Sequence, residues 1–181
     1  ITGVEPGDIA FASEMGYVIK LLAIAQLLAD NRISARVHPA MVPAEHPLAS
    51  VGGAFNAIFV ESKEAGRLMF MGPGAGGAPT ASSVVGDLVT VARNRVRGVT
   101  GPAHSIYADR SLAPMGETRA RYFVRFNVLD QPGVLASAAA VFARHGVSLR
   151  TVQQTTSDGP DGQTASLGVM THDAQESAIQ S

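Results

Sequence analysis

Met69-Phe70-Met71-Gly72-Pro73-Gly74-Ala75-Gly76-Gly77-Ala78-Pro79-Thr80-Ala81 is the stretch on which the reading of the fold turns. An apolar, strand-like run feeds a glycine-rich turn, and the turn opens directly into a helix. Glycine has no Cβ, so such a turn tolerates positive φ and lets another backbone or a ligand come close. Pro79 is placed just outside the coming helix, and Thr80 is predicted to cap its orphan N–H groups. The helix, expected from Ala81 to Arg95, carries Val84, Val85, Leu88, Val89 and Ala92 as an apolar stripe. Strand, glycine turn and helix N-terminus together concentrate free N–H groups and the positive end of a helix dipole on one spot, the makings of an anion site.

Gly72, Gly74 and Gly77 fit the pattern G-x-G-x-x-G. A complete dinucleotide fold also needs a second parallel strand ending in an acid about 20 residues further on, to hold the ribose. Here the corresponding region, Asn94-Arg95-Val96-Arg97-Gly98-Val99-Thr100-Gly101-Pro102, is basic, glycine-broken and without an acid. A phosphate loop is excluded as well, because no Lys follows the glycines. A tight strand-to-helix connection that binds nothing has the same shape, so shape alone does not choose between the two.

The bulk numbers narrow the classes. A chain of 181 residues holds one domain or two small ones, and 46% hydrophobic with 16% charged residues describes a folded protein. A net charge of −1, with Lys and Arg scattered, provides no footprint for nucleic acid or an anionic membrane, and neither is expected as a partner. The absence of cysteine excludes disulfides and cysteine-ligated metals and fits a cytoplasmic location. The longest apolar run, Gly16 to Ala25, contains Lys20 and is too short to span a bilayer, and no signal peptide is evident. A start at Ile1 without Met and a stop at Ser181 inside a helix-like segment lead to the expectation of a fragment.

Working outward, Pro6-Gly7-Asp8 reads as a turn whose Asp8 caps a helix from about Ile9 to Ala29, with Ile9, Phe11, Met15, Val18, Ile19, Leu22 and Ile24 on its apolar face. Lys20 within it is expected to run its amine out to the surface. Ile33 to Val42 alternates as a short strand interrupted at Pro39. His38, Glu45 and His46 raise a metal site, but Pro39, Pro43 and Pro47 describe an extended loop and no metal is expected. Residues 54–60 and 67–71 form a hairpin, apolar on both faces, that delivers the chain into the glycine turn. From Val96 to Arg119 periodicity is lost, as in a linker. Beyond it Tyr122, Val124, Phe126 and Val128 fall on one strand face and Phe123, Arg125 and Asn127 on the other. A helix follows with Leu135, Ala138, Ala139 and Phe142 inward and Gly146 as its stop, then a strand from Val147, a turn over Ser157–Gly162, a strand over 164–171 and a helix from Asp173. The order β-α-β-β-α is that of a ferredoxin-like unit short of its last strand.

Asp130-Gln131-Pro132-Gly133-Val134-Leu135, with its distance to Val147-Ser148-Leu149, resembles the first turn of an ACT domain, the small amino-acid-sensing module. Four blocks in the earlier part resemble the substrate and dimerisation domain of homoserine dehydrogenases: Gly16–Leu22, Val42–Ala49 with Phe55-Asn56-Ala57, Gly72–Ala81, and Gly86-Asp87-Leu88. The expected fold class is thus α+β: a mixed sheet with helices on one face, then a ferredoxin-like ACT domain lacking its last strand. The expected division is 1–97 for the substrate and dimerisation domain, 98–119 for the linker and 120–181 for the ACT domain.

The resemblance implies an enzyme that interconverts aspartate 4-semialdehyde and homoserine with NADP or NAD, on the route to threonine and methionine. The family's nucleotide-binding domain and its catalytic Lys and acids would precede Ile1, so no catalytic residue is assigned and the chain alone is expected to be inactive. Gly74 and Gly76 are the first candidates for backbone contact with the nicotinamide, with Gly72, Gly77 and Thr80 beside them. Asp130, Gln131, Gly133, Val134 and Leu135 are the candidates for an allosteric effector, threonine by implication, held between paired ACT units. A homodimer or higher homo-oligomer through the sheet of residues 33–72 is expected. The alternative from another class is a stand-alone amino-acid sensor without catalysis.

Overall fold

The computed structural model describes residues 3–101, 105, 107–159 and 162–180. The class is α+β, and the described strands are distributed over several small sheets rather than one. Two compact units result: Ile1–Met41 with Arg110–Ser181, and Val42–Asp109.

In the first unit α1 spans Pro6–Glu14. Pro6 begins it, and Glu5 and Asp8 form a reciprocal capping box, with Glu5 N donating to Asp8 Oδ2 at 2.7 Å. The helix predicted to reach Ala29 stops here: Gly16 takes φ +78°, and the chain leaves as strand β1, Tyr17–Leu27. The reason is local. Tyr17-Val18-Ile19 is rich in aromatic and β-branched residues that favour extended backbone, and a run apolar on both sides is compatible with either period. Lys20 is therefore a half-buried strand residue rather than a helical one. Asn31, at φ +70°, closes the turn into β2, Ile33–Pro43, which pairs with β1 and continues through Pro39. A two-stranded sheet leaves an open edge where a proline costs no ladder bond.

The same unit contains β5 (Arg119–Ala120), β6 (Phe123–Leu129), α3 (Val134–Arg144), β7 (Leu149–Gly159), β8 (Gly162–Thr171), β9 (Ala174–Gln175) and α4 (Glu176–Gln180). The central strand β8 is antiparallel to both β6 and β7. The outer strands are then parallel to each other, so α3 is the crossover that must lie over one face. Of the turn expected at Ser157–Gly162, Pro160 and Asp161 lie outside the described residues, as do Pro102, Ala103, His104 and Ile106 of the expected linker.

The sheet has a dry face and a polar one. Ala165, Leu167, Val169 and Thr171 turn to the dry face and are all 2% exposed or less. There Thr171 N donates to Tyr122 O (2.9 Å), and Tyr122 N donates to Thr171 Oγ1 (3.0 Å). The Tyr122 hydroxyl donates to Glu176 Oε2 at 2.7 Å; burial and then that hydrogen bond push its pKa well up. On the polar face Arg125 stands opposite Gly168, and Gly168 opposite Gln153. Helix α1 covers this face. Phe11, 6% exposed, meets Phe123 at a ring-centroid distance of 6.2 Å. A Cβ on Gly168 would lie 2.9 Å from Phe11 Cδ1, so only glycine leaves room for the ring. Arg125 Nε donates to Asp8 Oδ1 at 2.5 Å and Arg125 Nη2 donates to Glu5, while Gln153 donates to Glu14.

The second unit contains a 3₁₀ turn at Pro47–Ser50, the hairpin of β3 (Phe55–Ser62) and β4 (Gly66–Pro73), and α2 (Gly77–Arg97). The predicted hairpin and helix are both present. Register runs from Phe55↔Pro73 to Ser62↔Gly66. Gly98 at φ +67° and the bond from Val99 N to Asn94 O close α2 in a Schellman-type stop.

Phe11→Ala is expected to lower the stability of the first unit by about 3–5 kcal/mol, measured by urea denaturation. Burial opposes ionisation of Asp8, but the hydrogen bonds from Arg125 and from Glu5 N prevail, and its pKa lies below the ordinary 3.8. A depressed carboxyl pKa adds stability above the unfolded value and loses it as the pH falls through the folded one. Asp8→Asn should therefore be destabilising at neutral pH, with the difference shrinking below pH 3.8 in the same denaturation series.

Candidate functional site

The glycine turn sits between two ordered elements and is itself solvent-exposed. Gly74 N donates to Ala54 O at 2.7 Å, which ties the end of β4 back to the start of β3. Gly76, the N-cap of α2, has φ +132°, a value that L side chains rarely adopt. Its carbonyl accepts from Thr80 Oγ1 (2.8 Å) and from Thr80 N (3.2 Å).

Thr80 thus does not cap the helix as predicted. The helix begins at Gly77, earlier than expected, so Pro79 and Thr80 lie within its first turn and the Thr80 hydroxyl donates backward to Gly76 O. No side-chain cap meets the first-turn amides. Residues 74–77, with Thr80, Ala81, Val84 and Val85, line an open concavity at this end of the helix. One wall is backbone without Cβ atoms at Gly74, Gly76 and Gly77, and another is the valine pair. Such a surface suits a flat, partly apolar group carrying hydrogen-bond acceptors, because the N-terminal amides of a helix favour them. Gly72 lies within β4, opposite Asn56, rather than on the concavity.

The second set of predicted residues forms the turn between β6 and α3. Gly133, at φ +91°, is the N-cap of α3, and Val134 N donates to Gln131 O at 3.3 Å. Asp130, Gln131, Gly133 and Leu135 are exposed and Val134 half-buried, so the turn offers its backbone to the outside. Asp130 Oδ1 accepts from Gln154 Nε2 at 3.2 Å. Gln154 on β7 is a member of this cluster that the sequence did not single out; only pairing across the sheet reveals it. Asn56 at the glycine turn was likewise visible only once hairpin register put it opposite Gly72.

The histidines raised as metal ligands have other partners. His38 Nδ1 donates to Pro39 O at 2.9 Å, which leaves Nε2 to accept from Arg36 Nε at 3.3 Å. His46 Nδ1 accepts from Leu48 N at 3.2 Å, and its ring meets Phe59 edge-on at 4.6 Å. No helix among the described residues is long and apolar enough to cross a membrane.

Comparison with known proteins gives two family matches: homoserine dehydrogenase over residues 1–89 and ACT domain over residues 122–180. The homoserine dehydrogenases of Mycobacterium tuberculosis and Corynebacterium glutamicum are 51% and 50% identical over 99% of this chain. That of Bacillus subtilis is 36% identical over 97% of it. The chain spans 42%, 40% and 40% of the length of these relatives. Among solved structures, a homoserine dehydrogenase from Thiobacillus denitrificans matches 99% of this chain with a TM-score of 0.83 at 33% identity. The S. aureus homoserine dehydrogenase at pH 7.0 matches with a TM-score of 0.65 at 26% identity, and the chain covers 41% and 42% of these two structures.

Gly76→Ala places a Cβ where φ disfavours it and 3.2 Å from Pro79 Cδ. It should destabilise the hairpin-to-helix junction by about 1–3 kcal/mol, read as an earlier urea midpoint in circular dichroism.

Proposed function

Residues 1–89 belong to the homoserine dehydrogenase family and residues 122–180 to the ACT family, and from that premise we propose that this chain is the non-nucleotide-binding part of an oxidoreductase under amino-acid control. The intact protein would interconvert aspartate 4-semialdehyde and homoserine with NADP or NAD, in the cytoplasm, on the route to threonine and methionine. The observation that carries this reading is the glycine turn of residues 72–77, which leads from an exposed hairpin to a helix start without a side-chain cap.

In this reading Gly74, Gly76 and Gly77 would approach the nicotinamide with their backbone, while Thr80 holds Gly76 O and so fixes the angle of approach. The nicotinamide, when bound, supplies or accepts the hydride. This chain's residues position the ring: glycines remove the bulk that would keep it away, and Val84 and Val85 shield one side from water. Hydride donor and acceptor react only at short range, so a displaced turn costs rate even though none of its residues exchanges a proton.

The ACT part would take an amino acid at the Asp130–Leu135 turn, threonine in this family. Backbone amides before α3 suit its carboxylate, and Asp130, held by Gln154, suits its ammonium. The effector changes activity only by preferring one arrangement of the protein over another. We further propose a homodimer, supported by the row Ile58, Val60, Leu68 and Phe70, exposed on one hairpin face. The functional division at residues 98–119 remains part of this proposal.

Extended to the length of its relatives, the polypeptide should oxidise homoserine while reducing NADP or NAD, and the 181-residue chain should not. Calorimetry should register threonine binding to the chain, lost in Asp130→Ala. Threonine binding without homoserine oxidation in the extended protein would favour a sensor without catalysis.

A further inference from the structure

The hairpin face next to the glycine turn carries one polar residue in an apolar row. On β3 and β4 the cross-strand pairs Ile58↔Phe70 and Val60↔Leu68 share a face, and the next pair along it toward the turn is Asn56↔Gly72. Period-two alternation places Asn56 on that face although an apolar residue would continue the row. The exception stands where the strand delivers the chain into the turn.

The Asn56 carboxamide lies against Gly74. A Cβ built on Gly74 would fall 2.3 Å from Asn56 Nδ2, 2.5 Å from Cγ and 2.8 Å from Oδ1. All three distances are far below van der Waals contact, so the carboxamide fills the space a side chain at 74 would need and would have to move to admit one. Gly74 cannot withdraw, because its N–H is held by Ala54 O at 2.7 Å. Nor does its φ lie in the left-handed region, unlike that of Gly76. Glycine at 74 therefore answers to the neighbouring side chain, whereas glycine at 76 answers to backbone conformation.

We propose that Asn56 is a positioning residue of the glycine turn: its carboxamide fixes the near end of the turn at Gly74, as Thr80 fixes the far end at Gly76. This rests on the reading of the turn as a nicotinamide contact. Between these two supports lies only Ala75, so the amides of residues 75–77 inherit their direction from both. Asn56 acts through Gly74 and takes no part in the reaction itself.

The test is a double-mutant cycle of Asn56→Ala and Gly74→Ala. A methyl at 74 displaces the flexible carboxamide, so either single change removes the same support. In the 181-residue chain each should speed hydrogen exchange of the 75–77 amides by about tenfold, with the global urea midpoint unchanged, and the double variant should add little more. In the polypeptide extended to its relatives' length, each should raise the nucleotide KM by about tenfold with the homoserine KM little altered, again without additivity. Additive effects, or exchange unchanged in Asn56→Ala, would overturn the proposal. Faster, non-additive exchange with unchanged nucleotide KM would keep Asn56 as the support of the turn and remove the cofactor reading on which its functional role rests.

Discussion

A phenylalanine ring lodged against a glycine holds the larger unit of this protein together. Phe11 occupies the space that a side chain at Gly168 would need, in the middle of the central strand of the three-stranded sheet. Around that ring the polar face is closed by charge. Arg125, 14% exposed in its side chain, is held by Asp8 and Glu5, and Gln153 is held by Glu14. Exposed ion pairs contribute little, but this one is shielded on the Arg125 and Asp8 sides and lies beside an apolar plug that excludes water. Every partner comes from a nine-residue helix or from Glu5, which caps it; such a helix would be marginal on its own and depends on the sheet it covers.

That contact makes the compact division differ from the division into families. The segment matched to homoserine dehydrogenase runs to residue 89, yet its residues up to Met41 belong to the unit that contains the ACT match. Two further bonds tie the first segment to residues just before the ACT match: Arg32 Nη2 donates to Glu117 Oε2 at 2.6 Å, and Ser34 Oγ and Thr118 Oγ1 lie 3.3 Å apart in a buried pair. The sheet of the ACT match is thus covered on its polar face by a helix of the segment matched to homoserine dehydrogenase. The glycine turn works on a different principle. It is exposed and supported from both ends, and what it presents is backbone, so its precision comes from Asn56 and Thr80 rather than from burial.

The residues at issue show why some parts were legible and others not. Turns with a chemical requirement are legible in the sequence, since Gly133 and Gly146 both adopt positive φ beside the helix they bound. The alternation of residues 122–128 separates the two faces of β6, while what covers each face does not follow from it. Tyr17 to Leu27 is apolar at nearly every position, so neither period stands out there, and only the positive φ of Gly16 marks the boundary between helix and strand. Thr80 misled because a hydroxyl near a helix start can accept from an amide ahead of it or donate to a carbonyl behind it. The placement of the first turn decides which.

What the sequence determined by itself was local and periodic: the hairpin, the glycine turn, the long helix after it, and the β-α-β-β-α order with its family likeness. These follow from backbone sterics, side-chain alternation and turn chemistry, all of which act over a few residues. What only the tertiary structure decided was which distant groups share a place: Phe11 with Gly168, Arg125 with Asp8, Gln154 with Asp130 and, across the hairpin, Asn56 with Gly74. A side chain's partner across a sheet depends on register and on what covers each face. Those are settled by burial summed over the whole unit, which no single stretch of residues encodes.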